Sequence, residues 1–185
     1  MSFRPRLTAR RAAACLILLP ALVALAGCGA GRDQFAPACP IARPLHAATQ
    51  VQHYRPGAPG GRRDLADLEY SGRVLAVAGK CRKGGKKDTL HATLRVQLQL
   101  QRGPAAPAAG VVVPYFIAVA KGTHVLARRV FATRVAFRSG SDQVLMTSAP
   151  VGIDLPLPPG ASGADYTIWV GFQLTRGEYA AARGR

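Results

Sequence analysis

Residues able to support acid–base or metal chemistry are few in this sequence and lie far apart along it. The four histidines include no pair at the i, i+4 spacing that places two metal ligands on one face of a helix. Paired-acid hydrolysis needs two carboxyl groups about 5–10 Å apart on one substrate. A hydrolase or a metal-binding protein would have to bring together His46, His53, Asp64, Asp67 and Glu69. Turn capping and pairing with neighbouring arginines is the simpler interpretation of the three acids.

The densest cluster of cations lies between positions 80 and 87. Five of these eight residues are positively charged, and two adjacent glycines leave backbone N–H groups free to approach an anion. The spacing does not match the Walker phosphate-binding motif, because no Gly stands five residues before a Gly-Lys-Ser/Thr. The alternative is a solvated hairpin tip whose charges oppose aggregation. The candidate anion-binding residues are Lys80, Arg82, Lys83, Lys86 and Lys87.

The N-terminal part of the sequence has the organisation of an export signal. Four arginines precede an uncharged apolar stretch over residues 12–26. As a helix, this stretch would be about 22 Å long, shorter than the roughly 30 Å hydrocarbon core of a bilayer. The stretch runs into Leu25-Ala26-Gly27-Cys28. This motif resembles the lipobox of bacterial lipoproteins, in which Leu and two small residues precede the Cys that receives the lipid.

The resemblance implies that residues 1–27 are a cleaved signal peptide and that Cys28 is the site of lipid attachment. Cys28 would then carry diacylglycerol on its sulfur and a third acyl chain on its nitrogen. Two or three chains anchor a protein firmly, at about 0.8 kcal/mol per buried methylene. Residues 28–38 would form a lipidated flexible tether. Gly29, where many inner-membrane lipoproteins have Asp, favours an outer-membrane location facing the periplasm.

The same resemblance accounts for two of the four cysteines. Cys15 would leave with the signal peptide and Cys28 would take the lipid, so Cys39 and Cys81 remain. In an oxidising envelope we expect these two to form a disulfide. Their separation does not match the C-x-x-C spacing of redox or zinc motifs.

The chain is strongly basic, with a formal net charge of +16 over 185 residues, and loss of four signal-peptide arginines would leave +12. An exported, lipid-anchored protein with this charge meets anionic headgroups and envelope polymers rather than nucleic acid. A surface charged only for solubility is the alternative. The 49% apolar content excludes a low-hydrophobicity disordered chain.

Alternation of apolar and polar residues predicts strands along most of the remaining chain. The longest alternating stretch covers residues 90–101, and residues 166–175 repeat the pattern. Residues 111–120 are apolar on both faces, as expected of a central strand. Trp169 stands on the polar side of its strand, where it is either an exposed binding residue or covered by the segment that Cys39 holds.

Roughly seven such strands with short loops predict an all-β fold, an immunoglobulin-like β-sandwich over residues 64–185. A small β-barrel is the alternative. Residues 39–63 are rich in Pro, Gly and Arg, and we expect an irregular segment docked on this body, in which only residues 49–54 resemble a short strand.

These observations together predict a lipid-anchored periplasmic envelope lipoprotein that binds or scaffolds without catalysis. The expected partners are the membrane, through the lipid, and an anionic envelope polymer or another envelope protein. We expect no metal, no cofactor and no nucleic acid. A periplasmic hydrolase or metal-binding protein is the alternative function.

Overall fold

The computed structural model describes residues 38–56 and 64–183. Nine strands and one α-helix form within these residues. The strands, in chain order, are β1 (Ile41–Pro44), β2 (Gln50–Tyr54), β3 (Leu68–Lys83), β4 (Thr89–Arg102), β5 (Val111–Lys121), β6 (His124–Val135), β7 (Gln143–Thr147), β8 (Val151–Pro156) and β9 (Tyr166–Phe172). The helix, α1, covers Arg176–Arg183. Short 3₁₀ turns cover His46–Ala48, Leu65–Asp67 and Gly163–Asp165.

The strands form two sheets that pack as a sandwich. Sheet A has the order β1-β9-β5-β6, with β1 parallel to β9 and the other pairs antiparallel. Sheet B has the order β2-β3-β4, and the long strand β4 pairs with β8 along its first half and with β7 along its second half. The predicted all-β sandwich is therefore confirmed. The strands lie in two separate sheets and not in the closed barrel considered as the alternative.

The alternating residues of β4 form the centre of the core. All six apolar side chains between Leu90 and Leu100 are buried, while the intervening polar residues face away from sheet A. Tyr166, Ile168, Val170 and Phe172 of β9 bury the opposing side. Because side chains alternate between the two faces of a strand, one register positions all of them at once.

The sandwich begins earlier in the chain than the predicted boundary at position 64. Residues 41–44, expected to be irregular, form a strand in sheet A, and residues 50–54, where a short strand was expected, form one in sheet B. Their backbone groups pair with β9 and β3, and this pairing satisfies the peptide groups despite the Pro-rich sequence. Residues 57–63 of the same segment lie outside the described residues, as do the proposed signal peptide and Cys28.

The predicted Cys39–Cys81 disulfide is confirmed, with the two Cα atoms 5.7 Å apart. Cys39 lies just before β1 of sheet A, and Cys81 lies near the end of β3 of sheet B. The bond therefore joins the two sheets at the edge where β1 is located. In the part of the chain that the structure describes, no helix has the length and apolar character needed to cross a bilayer.

Candidate functional site

The outer face of sheet A, turned away from the core, presents a row of four residues across its four strands. Arg43 of β1 pairs with Trp169 of β9, Trp169 pairs with Ala118 of β5, and Ala118 pairs with Arg128 of β6. Directly paired residues share one face of a sheet. An aromatic and a small apolar residue therefore lie between two arginines.

A cavity of about 410 Å³ opens on this face beside the row. Its floor is formed by Phe116 and Ala118 of β5 and by Trp169 of β9. Its walls come from the chain segments that cross the face and include Leu45 and Tyr179 of α1. The walls are mostly apolar, and the volume lies within the range of about 300–1,000 Å³ typical of small-molecule sites.

One wall is held close to the sheet by a glycine. The 3₁₀ turn that contains Ala48 packs on Gly171 of β9, and a Cβ at position 171 would lie 2.6 Å from the Ala48 Cβ. The backbone N–H of Leu45 also donates to the Val170 carbonyl oxygen at 2.8 Å. This wall is thus fixed by backbone contact with the strand that contains Trp169.

The charged side chains around the cavity are cations that lie against aromatic rings. The Arg43 guanidinium lies 4.4 Å from the centroid of Trp169, and that of Arg128 lies 4.6 Å from the centroid of Phe116. Arg128 also donates to the side-chain oxygen of Gln173. The four strands of sheet A, all of which the structure describes, contain four arginines and a lysine but no acidic residue. The charged side chains on the strands of this sheet are therefore all positive.

The gathering of histidines and acids that a hydrolase or a metal-binding protein would require occurs only in part. Among the five candidates, His53 and Glu69 approach each other, with 3.9 Å between His53 Nε2 and Glu69 Oε2. Asp64 caps a 3₁₀ turn by accepting from the Ala66 N–H, and Asp67 accepts from Arg55 at 2.6 Å. His46 lies in another 3₁₀ turn. Within residues 38–56 and 64–183, no group of three or more His, Cys, Asp or Glu side chains is arranged to hold a metal ion.

The main partner of His53 is a residue that the sequence did not indicate. Its Nδ1 donates to Glu178 Oε1 of α1 at 2.8 Å, and its ring stacks on Tyr70 with centroids 5.0 Å apart. The hydrogen bond to Glu178 raises the pKa of His53 above 6.5, although burial acts to lower it. Burial acts to raise the pKa of Glu178, but its bonds with His53 and Thr175 hold that pKa below 4.5. The ion pair therefore connects α1 to β2 of sheet B.

These two pKa shifts define the pH range in which the ion pair stabilises the fold. A raised histidine pKa contributes stability that is fully present below pH 6.5 and is lost as the pH rises through the folded pKa. A lowered glutamate pKa contributes stability present above pH 4.5 and lost as the pH falls through the folded pKa. The contribution of the pair to stability is largest between these limits.

The five predicted anion-binding cations are all exposed at one end of sheet B. Lys80, Arg82 and Lys83 end β3, whereas Lys86 and Lys87 lie in the turn before β4. The β3–β4 register places Lys80 and Arg82 on one face and Lys83 on the other. The turn is closed by a bond from Gly84 N to the Thr89 carbonyl oxygen at 2.8 Å. The cations are therefore divided between two faces and a tip, and their binding of an anion stays a prediction.

The cavity was not predicted from the sequence, although one signal for it was present. Trp169 interrupts the polar side of its strand. The structure packs it in one cluster with Leu45 of the covering segment and on the cavity lining, and its role in binding stays a prediction. No local sequence pattern indicated Arg128 as a site residue, because its partners Phe116 and Gln173 are distant in sequence. Comparisons with family models, with curated proteins and with solved structures gave no match to this chain.

Proposed function

We propose that this protein is an exported, lipid-anchored lipoprotein of the bacterial envelope whose β-sandwich is a non-catalytic binding module. The observation on which the binding role rests is the apolar cavity on sheet A, bordered by Arg128 and close to Arg43. The proposed location rests on the export signal and on the lipobox that ends at Cys28. We place the protein at the outer membrane, facing the periplasm.

The disulfide supports an oxidising compartment. Cys39 and Cys81 join two sheets of the same domain, and structural disulfides of this kind are rare in the cytosol of mesophiles. Their position also suits a tethered protein, because the bond secures the chain immediately after the proposed tether. Pulling on the lipid end would then load the disulfide and not the hydrogen bonds of β1 alone.

The tether would keep the sandwich close to the bilayer. Residues 28–38 are eleven in number, and at about 3.3 Å each they can span at most about 36 Å. The sandwich therefore operates within a short distance of anionic headgroups. Its positive charge favours binding to that surface, because each Lys or Arg near an anionic bilayer contributes about 1 kcal/mol of attraction.

The arrangement around His53 favours a structural role for the best-placed titratable cluster. Nδ1 is bonded to Glu178, and Nε2 faces Glu69 at 3.9 Å. A general base needs a ring nitrogen within hydrogen-bond reach of its substrate. With carboxylates at both nitrogens, His53 supports the docking of α1, which contributes Tyr179 to the cavity.

The test of this function is metabolic labelling of cells with a clickable fatty-acid analogue. The wild-type protein and a Cys15→Ser control, altered in the proposed signal peptide, should both acquire label and fractionate with the outer membrane. Cys28→Ser should lose the label and keep its uncleaved signal. Equal labelling of wild type and Cys28→Ser, or a cytosolic wild-type protein, would refute the proposal.

A further inference from the structure

We infer that the cavity on the outer face of sheet A binds a single acyl chain whose headgroup is anionic, either a carboxylate or a phosphate. The inference rests on the proposed function, since it specifies the ligand of the same binding module. The acyl chain would lie against Phe116, Ala118 and Trp169, and the headgroup would meet Arg128.

The shape and chemistry of the cavity favour a chain-like apolar ligand. Its floor combines two aromatic rings with the small side chain of Ala118, and its walls add Leu45 and Leu174. Apolar cavities of this kind gain affinity by removing hydrocarbon from water, which is roughly proportional to the area covered. The volume of about 410 Å³ suits a small molecule or a single chain better than the folded surface of a protein.

The position of Arg128 specifies the charge of the headgroup. Its guanidinium borders the cavity, stacks over Phe116 and donates one hydrogen bond to Gln173. A guanidinium has five N–H donors in a planar fork that matches carboxylate and phosphate oxygens. The ion pairs between described residues do not include Arg128. Donors therefore remain for an anionic headgroup.

Charge complementarity extends beyond this one residue. Arg43 lies at the other end of the same cross-strand row, over Trp169. Because the described strands of sheet A lack acidic residues, no carboxylate in them competes with the ligand. A neutral lipid or an apolar peptide would leave Arg128, which borders the cavity, without a counterion.

Trp169 makes the inference directly measurable, because it is the only tryptophan in the sequence and forms part of the cavity. The protein as purified from the envelope is placed in nanodiscs of zwitterionic lipid. It is titrated with a medium-chain fatty acid that has bromine at its ω end, below the concentration at which micelles form. Bromine quenches tryptophan fluorescence on contact. The brominated alcohol of the same length is the matched uncharged probe.

We expect saturable quenching by the brominated acid and much weaker quenching by the alcohol. Ala118→Phe should abolish saturable quenching, because the new ring fills the floor. Arg128→Gln, at an exposed position, should lower the affinity for the brominated acid about tenfold, as expected for loss of a charge-assisted hydrogen bond. Arg134→Gln is the matched control: it removes a charge from the same strand and face and should leave affinity unchanged.

Three results would overturn the inference. The first is an acid that does not quench the wild type. The second is equal quenching by acid and alcohol with Arg128→Gln indistinguishable from Arg134→Gln, which would indicate a neutral ligand. The third is an unquenched Trp169 in a protein that sediments as a dimer, which would indicate a second copy on this face.

Competition identifies the source of the ligand. Displacement of the brominated acid by a lysophospholipid with a phosphate monoester head supports a membrane phospholipid. Displacement only by fatty acids supports free carboxylates. If the wild-type protein purified from cells has no lipid on Cys28 but its Trp169 is still quenched saturably, the ligand site is retained and the proposed anchor is refuted. The two failures can therefore be told apart.

Discussion

Loss of the Cys39–Cys81 disulfide should destabilise the sandwich by an amount that its position predicts. The two cysteines are 42 positions apart, so the bond closes a loop of about 43 residues. In the chain-entropy model, a loop of this length corresponds to about 4 kcal/mol of unfolding free energy. For a domain of this size, each kcal/mol shifts the melting temperature by roughly 2–4 °C, which gives a decrease of about 8–16 °C.

Urea unfolding of the wild type and of the Cys39→Ser/Cys81→Ser double variant measures this difference, with Trp169 fluorescence as the signal. Reductant should lower the free energy of unfolding of the wild type to that of the variant, because Cys39 is exposed and the bond is accessible. Reductant should have no effect on the variant. A loss below about 1 kcal/mol, or a variant that reductant destabilises further, would show that the bond does not constrain the two sheets as argued.

Three further outcomes follow from the packing and the ion pair. Gly72→Ala places a Cβ 2.8–3.0 Å from three buried side chains and should cost about 1–3 kcal/mol in urea unfolding, whereas Gly85→Ala, with open space around its Cβ, should change little. Leu98→Ala, at a fully buried position of β4, should cost about 2–5 kcal/mol; a loss under 1 kcal/mol would contradict its central place in the core. Wild-type stability should fall above pH 6.5 and below pH 4.5 as His53 and Glu178 lose their charges, and Glu178→Gln should flatten both limbs; an unchanged pH profile in that variant would contradict the ion pair.

The strands could be predicted because their signal is local. In β4, every second residue is apolar, and the two-residue period of a strand requires those side chains to share one face. The same rule identified β9, whereas β5 was identified because it is apolar on both faces. Pro114 of β5 lies just beyond the last β5–β9 pair, Tyr115 with Phe172, which is a position where a strand tolerates proline.

The site could not be predicted because it depends on contacts between distant segments. His53 and Glu178 are 125 positions apart. Thr175 and Glu178 match the capping-box pattern that starts a helix and exchange its two hydrogen bonds, but this local motif does not indicate that Glu178 pairs with His53. Pairing of β1 with β9 brings the start of the domain beside its end, and this parallel pair places Arg43 over Trp169. Such pairings are decided by the packing of whole sheets, whereas alternation in one strand reports only which face is buried.

Intact-mass analysis of the protein purified from its native membrane is the decisive test of the proposal that lipid on Cys28 holds this β-sandwich at the envelope. We expect a chain that begins at Cys28, has the mass of two or three acyl chains added, and contains the Cys39–Cys81 disulfide. A chain that retains residues 1–27 with an unmodified Cys28 would refute the proposed lipid anchor.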